Sequence, residues 1–361
     1  MSAAWPLSAV VGLLLCVRTA ATAAPEEAPA ERRGLRVART QVDGRLDLQL
    51  MHMDAEGLEP HVMAAEAEIL ITVASAERDV LDIALQWPYY TDMRGVDGRG
   101  REMHFGNAYL VYRTGFGRPN LRLGQFVVPF GNLTHYETHT FPLQSLYPES
   151  LGLRIDRGAS LEGYAGEWDW WLALTGGNGP RADNDRQPIM VARAARTHQT
   201  AGGALTLGLS GLLGRQMPRF SPLVDPLMDH DGGEHGGHAP ALEFANKRRL
   251  ALDLEYVAGL DLWRGEVVLG EDGDGPARGG FAQWGRALGE GREVTLQAAG
   301  WQQPSGRRMR LGAAYGLELD PTTTLRLAAE RRAGRTDTGS ARDTVVWLQV
   351  LRELPALAPA R

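Results

Sequence analysis

Arg249-Leu250-Ala251-Leu252-Asp253-Leu254-Glu255-Tyr256 decides the fold class. Leu250, Leu252, Leu254 and Tyr256 fall on one side of an extended chain, and Arg249, Asp253 and Glu255 on the other. A period of two is the signature of a strand with an apolar face and a polar face. The same rhythm recurs along the chain. Leu46, Leu48 and Leu50 oppose Arg45, Asp47 and Gln49. Leu205, Leu207 and Leu209 oppose Thr206, Gly208 and Ser210. Val294, Leu296 and Ala298 oppose Glu293, Thr295 and Gln297. Met309, Leu311, Ala313, Tyr315 and Leu317 oppose Arg310, Gly312, Gly316 and Glu318.

About 16 such stretches are expected, and the connections between them alternate in length. Short turns fall near 75–79, 115–120, 166–168, 198–202, 258–260, 289–292 and 319–322. Long loops are expected at 54–61, 88–100, 129–157, 176–187, 215–247, 271–279, 304–307 and 332–342. An all-β, transmembrane antiparallel β-barrel is the fold that needs this alternation: tight turns on one side of a bilayer, longer loops on the other. In lipid a sheet must close, because unpaired backbone groups find no water. About 16 strands leave an aqueous bore, whereas about eight would be filled by side chains. Inward Arg, Asp, Glu, Gln and Thr suit water and would be costly in a dry core. Aromatics such as Trp87, Tyr112, Trp168, Trp263 and Trp284 tend toward strand ends, where interfacial girdles form.

The 361 residues carry 38 Lys+Arg and 44 Asp+Glu, a net charge of −6, which gives no electrostatic reason to expect nucleic acid. Residues 1–23 read as a cleaved signal peptide, with an apolar run at 9–17 and small residues Ala21 and Ala23 before the cut. Cleavage removes Cys16, the only cysteine, so disulfides, Cys-ligated zinc and haem attachment are excluded from the remainder. Residues 24–41 read as a short periplasmic segment, 42–352 as the barrel and 353–361 as a C-terminal tail. Bacterial outer membrane is the expected location, with outer-membrane lipid around the barrel.

The stretch Leu121-Arg122-Leu123-Gly124-Gln125-Phe126-Val127-Val128-Pro129-Phe130-Gly131 resembles the R-x-G-x-F-x-x-P-F-G strand end of the phosphate-selective porin O and P family, within the wider porins of Gram-negative outer membranes. Residues 151–163 and 246–256 are similar to later strands of that family. The resemblance implies a pore, often a homotrimer, constricted by a loop folded inward, here 129–157. The family's phosphate-selective members line the lumen with Arg and Lys. Here acidic residues share that face, so phosphate selectivity is not carried over. The chain also ends at Arg361 rather than on the usual terminal aromatic.

The function expected is passive diffusion of small hydrophilic solutes or ions, with no enzyme activity and no cofactor. Pore-lining or constriction candidates are Arg122, His135, Glu137, His139, Arg154, Arg157, Asp253, Glu255, Arg310 and Arg326, with Glu293 as a further charge. His230, His235 and His238 sit with two carboxylates on a glycine-rich loop and are weak candidates for a divalent metal; a hydrated surface loop is the plainer reading. Residues 270–275 have the composition of a calcium loop without its spacing and read as an acidic exposed loop. A second reading is a barrel sheath around a partner such as an electron-transfer cytochrome, which would bring its own haem. A third is an outer-membrane hydrolase using His135 or His139 with Asn132 or Ser145.

Overall fold

The computed structural model describes residues 35–53, 57–75, 78–90, 102–103, 106–134, 143–177, 188–218, 244–273, 275–304, 306–336 and 339–354. The signal peptide at 1–23, His135, Glu137 and His139, the His230, His235 and His238 loop, and most of the 353–361 tail lie outside these residues.

Seventeen strand segments form one sheet. They are β1 (Arg36–Met53), β2 (Gly57–Ala74), β3 (Asp79–Tyr90), β4 (Glu102–Met103), β5 (Ala108–Tyr112), β6 (Asn120–Val127), β7 (Ile155–Ala165), β8 (Trp168–Thr175), β9 (Ile189–Thr200), β10 (Gly203–Pro218), β11 (Phe244–Ala258), β12 (Asp261–Asp272), β13 (Gly275–Gly289), β14 (Arg292–Gln303), β15 (Gly306–Asp320), β16 (Thr323–Thr336) and β17 (Gly339–Leu354). β4 and β5 both pair with β3 and share one stave, so the staves number sixteen. Each pairs antiparallel with its chain neighbours, and β17 returns to β1 with Gly44 opposite Leu354 and Met53 opposite Val345. The sheet therefore closes and has no free edge, as the alternation requires. No helix among the described residues is long and apolar enough to cross a membrane.

Side-chain burial follows the pleat. Leu250, Leu252, Leu254, Val267, Leu269, Met309 and Leu311 are exposed on the outside, while Lys247, Arg249, Asp253 and Glu266 are buried on the inside. Trp263 and Trp284 stand together on the outer face near the short turns, with ring centroids 6.1 Å apart. Turn chemistry follows sequence too. Gly289, Glu290 and Gly291 all adopt positive φ between β13 and β14, a path that glycines on both sides make cheap.

The expected loops at 271–279 and 332–342 are corrected. β12 runs to Asp272 and β13 starts at Gly275; β16 runs to Thr336 and β17 starts at Gly339. The sequence hides this because both faces become polar there. Glu330 and Arg332 point inward while Arg331 and Arg335 point outward, so the chain stays extended with no apolar row to mark it. The acidic 270–275 stretch is likewise strand up to Asp272, whose buried carboxylate accepts from Arg249 Nη2. The 54–61 loop is shorter than expected, since β2 begins at Gly57, and the sheet reaches past 42–352 at both ends.

Candidate functional site: the lumen and its inward loop

β6 delivers the chain to Pro129, which has no N–H for a ladder, and the connection to β7 turns into the barrel. Its first anchor is the 3₁₀ turn Gly131–Thr134. Gly131 N donates to Ser210 Oγ at 3.0 Å, and Arg193 Nε donates to the Gly131 carbonyl at 2.9 Å. Arg193 also pairs with Asp253 at 2.6 Å, both side chains being almost fully buried. Asn132 N donates to Glu266 Oε2 at 2.8 Å, and its side-chain amide donates to the Gly265 carbonyl at 2.9 Å. Gly131 sits at φ +56°, and a methyl there would lie 2.1 Å from Glu266 Oε2, so close approach and backbone angle both demand glycine.

The second anchor is the short helix Tyr147–Ser150 and its flanks. Lys247 Nζ donates to the Leu151 carbonyl at 2.7 Å and Arg249 Nε to the Ser150 carbonyl at 3.1 Å. Arg310 Nη2 donates to the Ser145 carbonyl at 2.8 Å and pairs with Glu149 at 3.2 Å. Basic side chains from β11 thus satisfy carbonyls that the C-terminal end of the helix leaves open, and Arg310 of β15 takes the Ser145 carbonyl just before its N-terminus. Burial pushes the Tyr147 hydroxyl above its ordinary range, with nearby Arg154 opposing it. Apolar packing completes the seat. Val128, Phe130, Leu146 and Leu151 join Val191, Leu212, Val268, Phe281 and Trp301 of the wall. Leu143 packs with Ala314, Ala328, Val345 and Trp347.

The described parts of the loop lie against β9–β17. Across the bore, β1–β7 present Asp43, Arg45, Asp47 and Gln49, then Glu66, Glu68 and Thr72, then Asp82 and Gln86, with Tyr109, Arg122 and Glu162 beyond. Arg122 pairs with Glu162 at 2.7 Å, its guanidinium 4.7 Å from the Tyr109 ring centre. Arg113 meets Asp82, and Arg45 lies 3.8 Å from Glu66. At the seam, Gln349 Nε2 donates to Asp47 at 2.8 Å and ties β17 to β1.

The sequence-derived residues divide into three groups. Arg122, Glu255 and Arg326 face the lumen in ion pairs, Glu255 with Arg264 at 2.7 Å and Arg326 with Glu293 at 3.0 Å. Asp253 and Arg310 face it as loop anchors rather than as bare pore charges. Arg154 belongs to the loop itself, its carbonyl accepting from Val128 N at 2.9 Å. Arg157 is corrected: it shares the outer face with Leu161 while Asp156 and Ser160 point in, and it donates to Gln125 at 2.9 Å. The physical reason is the pleat, which sends Asp156 and Arg157 to opposite sides. Asn132 and Ser145, considered for hydrolysis, are structural pegs of the loop. No group of side chains suited to a metal occurs among the described residues.

Sequence reasoning did not single out Arg193, Glu266 or Lys247, and it read Arg249 only as part of the polar face of its strand. A signal was present, since each is a charged residue at an inward position of its strand, yet nothing local says what it will hold.

No protein-family model matches the chain, and no curated protein matches it. Solved structures do. The anion-selective porin from Comamonas acidovorans is 12% identical, with a TM-score of 0.61 over 87% of this chain and 99% of that one. The outer membrane channel DcaP of Acinetobacter baumannii is 10% identical, with a TM-score of 0.62 over 91% and 100%. OmpT, an outer membrane protein of Vibrio cholerae in trimer form, is 10% identical, with a TM-score of 0.60 over 87% and 99%. The chain has the closed sixteen-stave fold of outer-membrane porins.

Proposed function

We propose that this chain is a bacterial outer-membrane porin, a water-filled channel for passive diffusion of small hydrophilic solutes or ions. One observation carries the reading: a closed sixteen-stave barrel is apolar outside and charged inside, with a loop fastened to one wall of its bore. Such a wall dissolves in lipid and keeps a wet path through the middle. The long-loop side would face outward and both termini would lie on the periplasmic side. The seated loop also weighs against the sheath reading, because it occupies room that a threaded cytochrome would need.

The resemblance at 121–131 supports kinship with the phosphate-selective porins in architecture alone. Among the described residues of the wall opposite the loop, Asp43, Asp47, Glu66, Glu68, Asp82 and Glu162 share the inner face with Arg36, Arg39, Arg45, Arg113 and Arg122, six carboxylates against five guanidinium groups. An acidic wall of this kind attracts cations and repels phosphate. Homotrimeric assembly is the oligomer we favour, by likeness to the trimeric neighbour.

Purified protein added to a planar bilayer should give stepwise ohmic conductance. Under a KCl gradient the reversal potential should have the sign of cation preference, and the double variant D43N/E68Q should move it toward zero. Stepwise conductance with anion preference would overturn the charge reading; absence of conductance would overturn the channel.

A further inference from the structure

Where β17 meets β1, the ladder runs from Met53 down to Gly44, which lies opposite Leu354. Over that stretch the wall is closed. Toward the short-turn rim β1 runs on past Gly44 to Arg36, and β2 stays paired with it down to Ala74 opposite Arg36. Among the described residues, no strand pairs with the other edge of residues 36–43. The overhang is long for this barrel. β13 ends at Gly289 with Arg286 still paired to β12, and β15 ends at Asp320 with Leu317 still paired to β14. Leu35 and Val37 at the overhang are 69% and 62% exposed. An open ladder edge beside exposed apolar side chains is a template for another strand, and natural sheets cover or block such edges.

β17 leads straight toward this edge. It stops at Leu354, and Pro355-Ala356-Leu357-Ala358-Pro359-Ala360 follows in the sequence. Carried on in the same register, Pro355 falls opposite Asp43, Ala356 opposite Val42, Leu357 opposite Gln41 and Ala358 opposite Thr40. Proline is the obstacle to such a strand, and its phase removes the obstacle. The Glu353 N–H donates to the Thr322 carbonyl at 2.7 Å, on the β16 side. Backbone groups alternate sides along an antiparallel strand, so residues two and six further on, Pro355 and Pro359, also turn toward the β16 side. Both prolines thus fall where the missing N–H points away from β1. Ala356, Ala358 and Ala360 keep the donors and acceptors that the β1 edge lacks. Proline also holds the residue before it extended, here Leu354 and Ala358.

We propose that residues 355–360 dock as an extended strand on the 36–43 edge of β1 in the same chain. The docked segment seals the seam at the short-turn rim, and its two prolines blunt the far edge against pairing with a foreign strand. The inference rests on the closed barrel and is independent of whether its bore conducts.

Disulfide trapping in the full chain, in a Cys16→Ser background, tests it. Q41C/L357C places its cysteines at a non-hydrogen-bonded pair, the closer kind at about 4.5 Å between Cα atoms and within disulfide reach. Mild oxidation of the folded protein in lipid vesicles should join the two within one chain. Q41C/A358C, whose second cysteine points to the opposite face, should give no such bond. A second measurement leaves the docking residues unaltered: the Thr40 and Val42 amides should be protected from hydrogen exchange, and deletion of 355–361 should speed their exchange roughly fivefold, the loss of one net hydrogen bond. Equal trapping in the two cysteine variants, a bond joining two chains in place of one, or exchange unchanged by the deletion would each overturn the inference. Single-channel conductance of the deletion variant should equal that of the unaltered protein, so loss of the docked strand is read separately from loss of the channel.

Discussion

At the scale of single residues, the loop is held by buried charge rather than by apolar packing alone. Arg193 and Asp253 are desolvated together, so removing one leaves the other uncompensated, at about 3–5 kcal/mol. D253N should therefore loosen the loop while the barrel still closes, seen as larger and noisier single-channel conductance. Gly131 offers a sharper test. G131A should lower the unfolding temperature more than G166A. Both glycines have positive φ, but a methyl at Gly166 meets nothing within 4 Å, whereas at Gly131 it meets Glu266. These pegs were illegible in the sequence because a charged inward residue reads the same whether it faces water or a carbonyl. Arg193 lies 62 residues from Gly131 and Glu266 lies 134 from Asn132, separations that no local pattern spans.

At the scale of the strand, the reading was most secure where one face was uniformly apolar. Leu250, Leu252 and Leu254 announced both β11 and its outward side, and the structure exposes all three. The reading failed where both faces turned polar, as at 332–342, because the two-residue period is carried by contrast between faces and contrast was lost there. A strand face that touches lipid makes its own prediction. L252R, near the middle of β11, should destabilise the folded barrel by about 2–4 kcal/mol in bilayer refolding titrations. A251S, on the buried inner face beside Asp253, should change stability far less.

For the whole molecule, closure is what turns amphipathic ribbons into a vessel. Alternating loop lengths gave the stave number and the side on which the strands turn tightly, and β17 meeting β1 supplies the closure that local patterning implies without displaying. The asymmetry of the interior, with a loop fastened to β9–β17 and an acidic wall on β1–β7, needed coordinates, because it depends on which wall the loop chooses. The central claim is that leucine-rich faces meet lipid while the alternate faces enclose water. Neighbouring cysteines on one strand test it most directly: E68C and I69C, each in a Cys16→Ser background, reconstituted in lipid vesicles and treated with a charged, membrane-impermeant thiol reagent. The account predicts rapid labelling at position 68, which faces the bore, and protection at position 69, which faces lipid. Labelling at 69 with protection at 68 would contradict it.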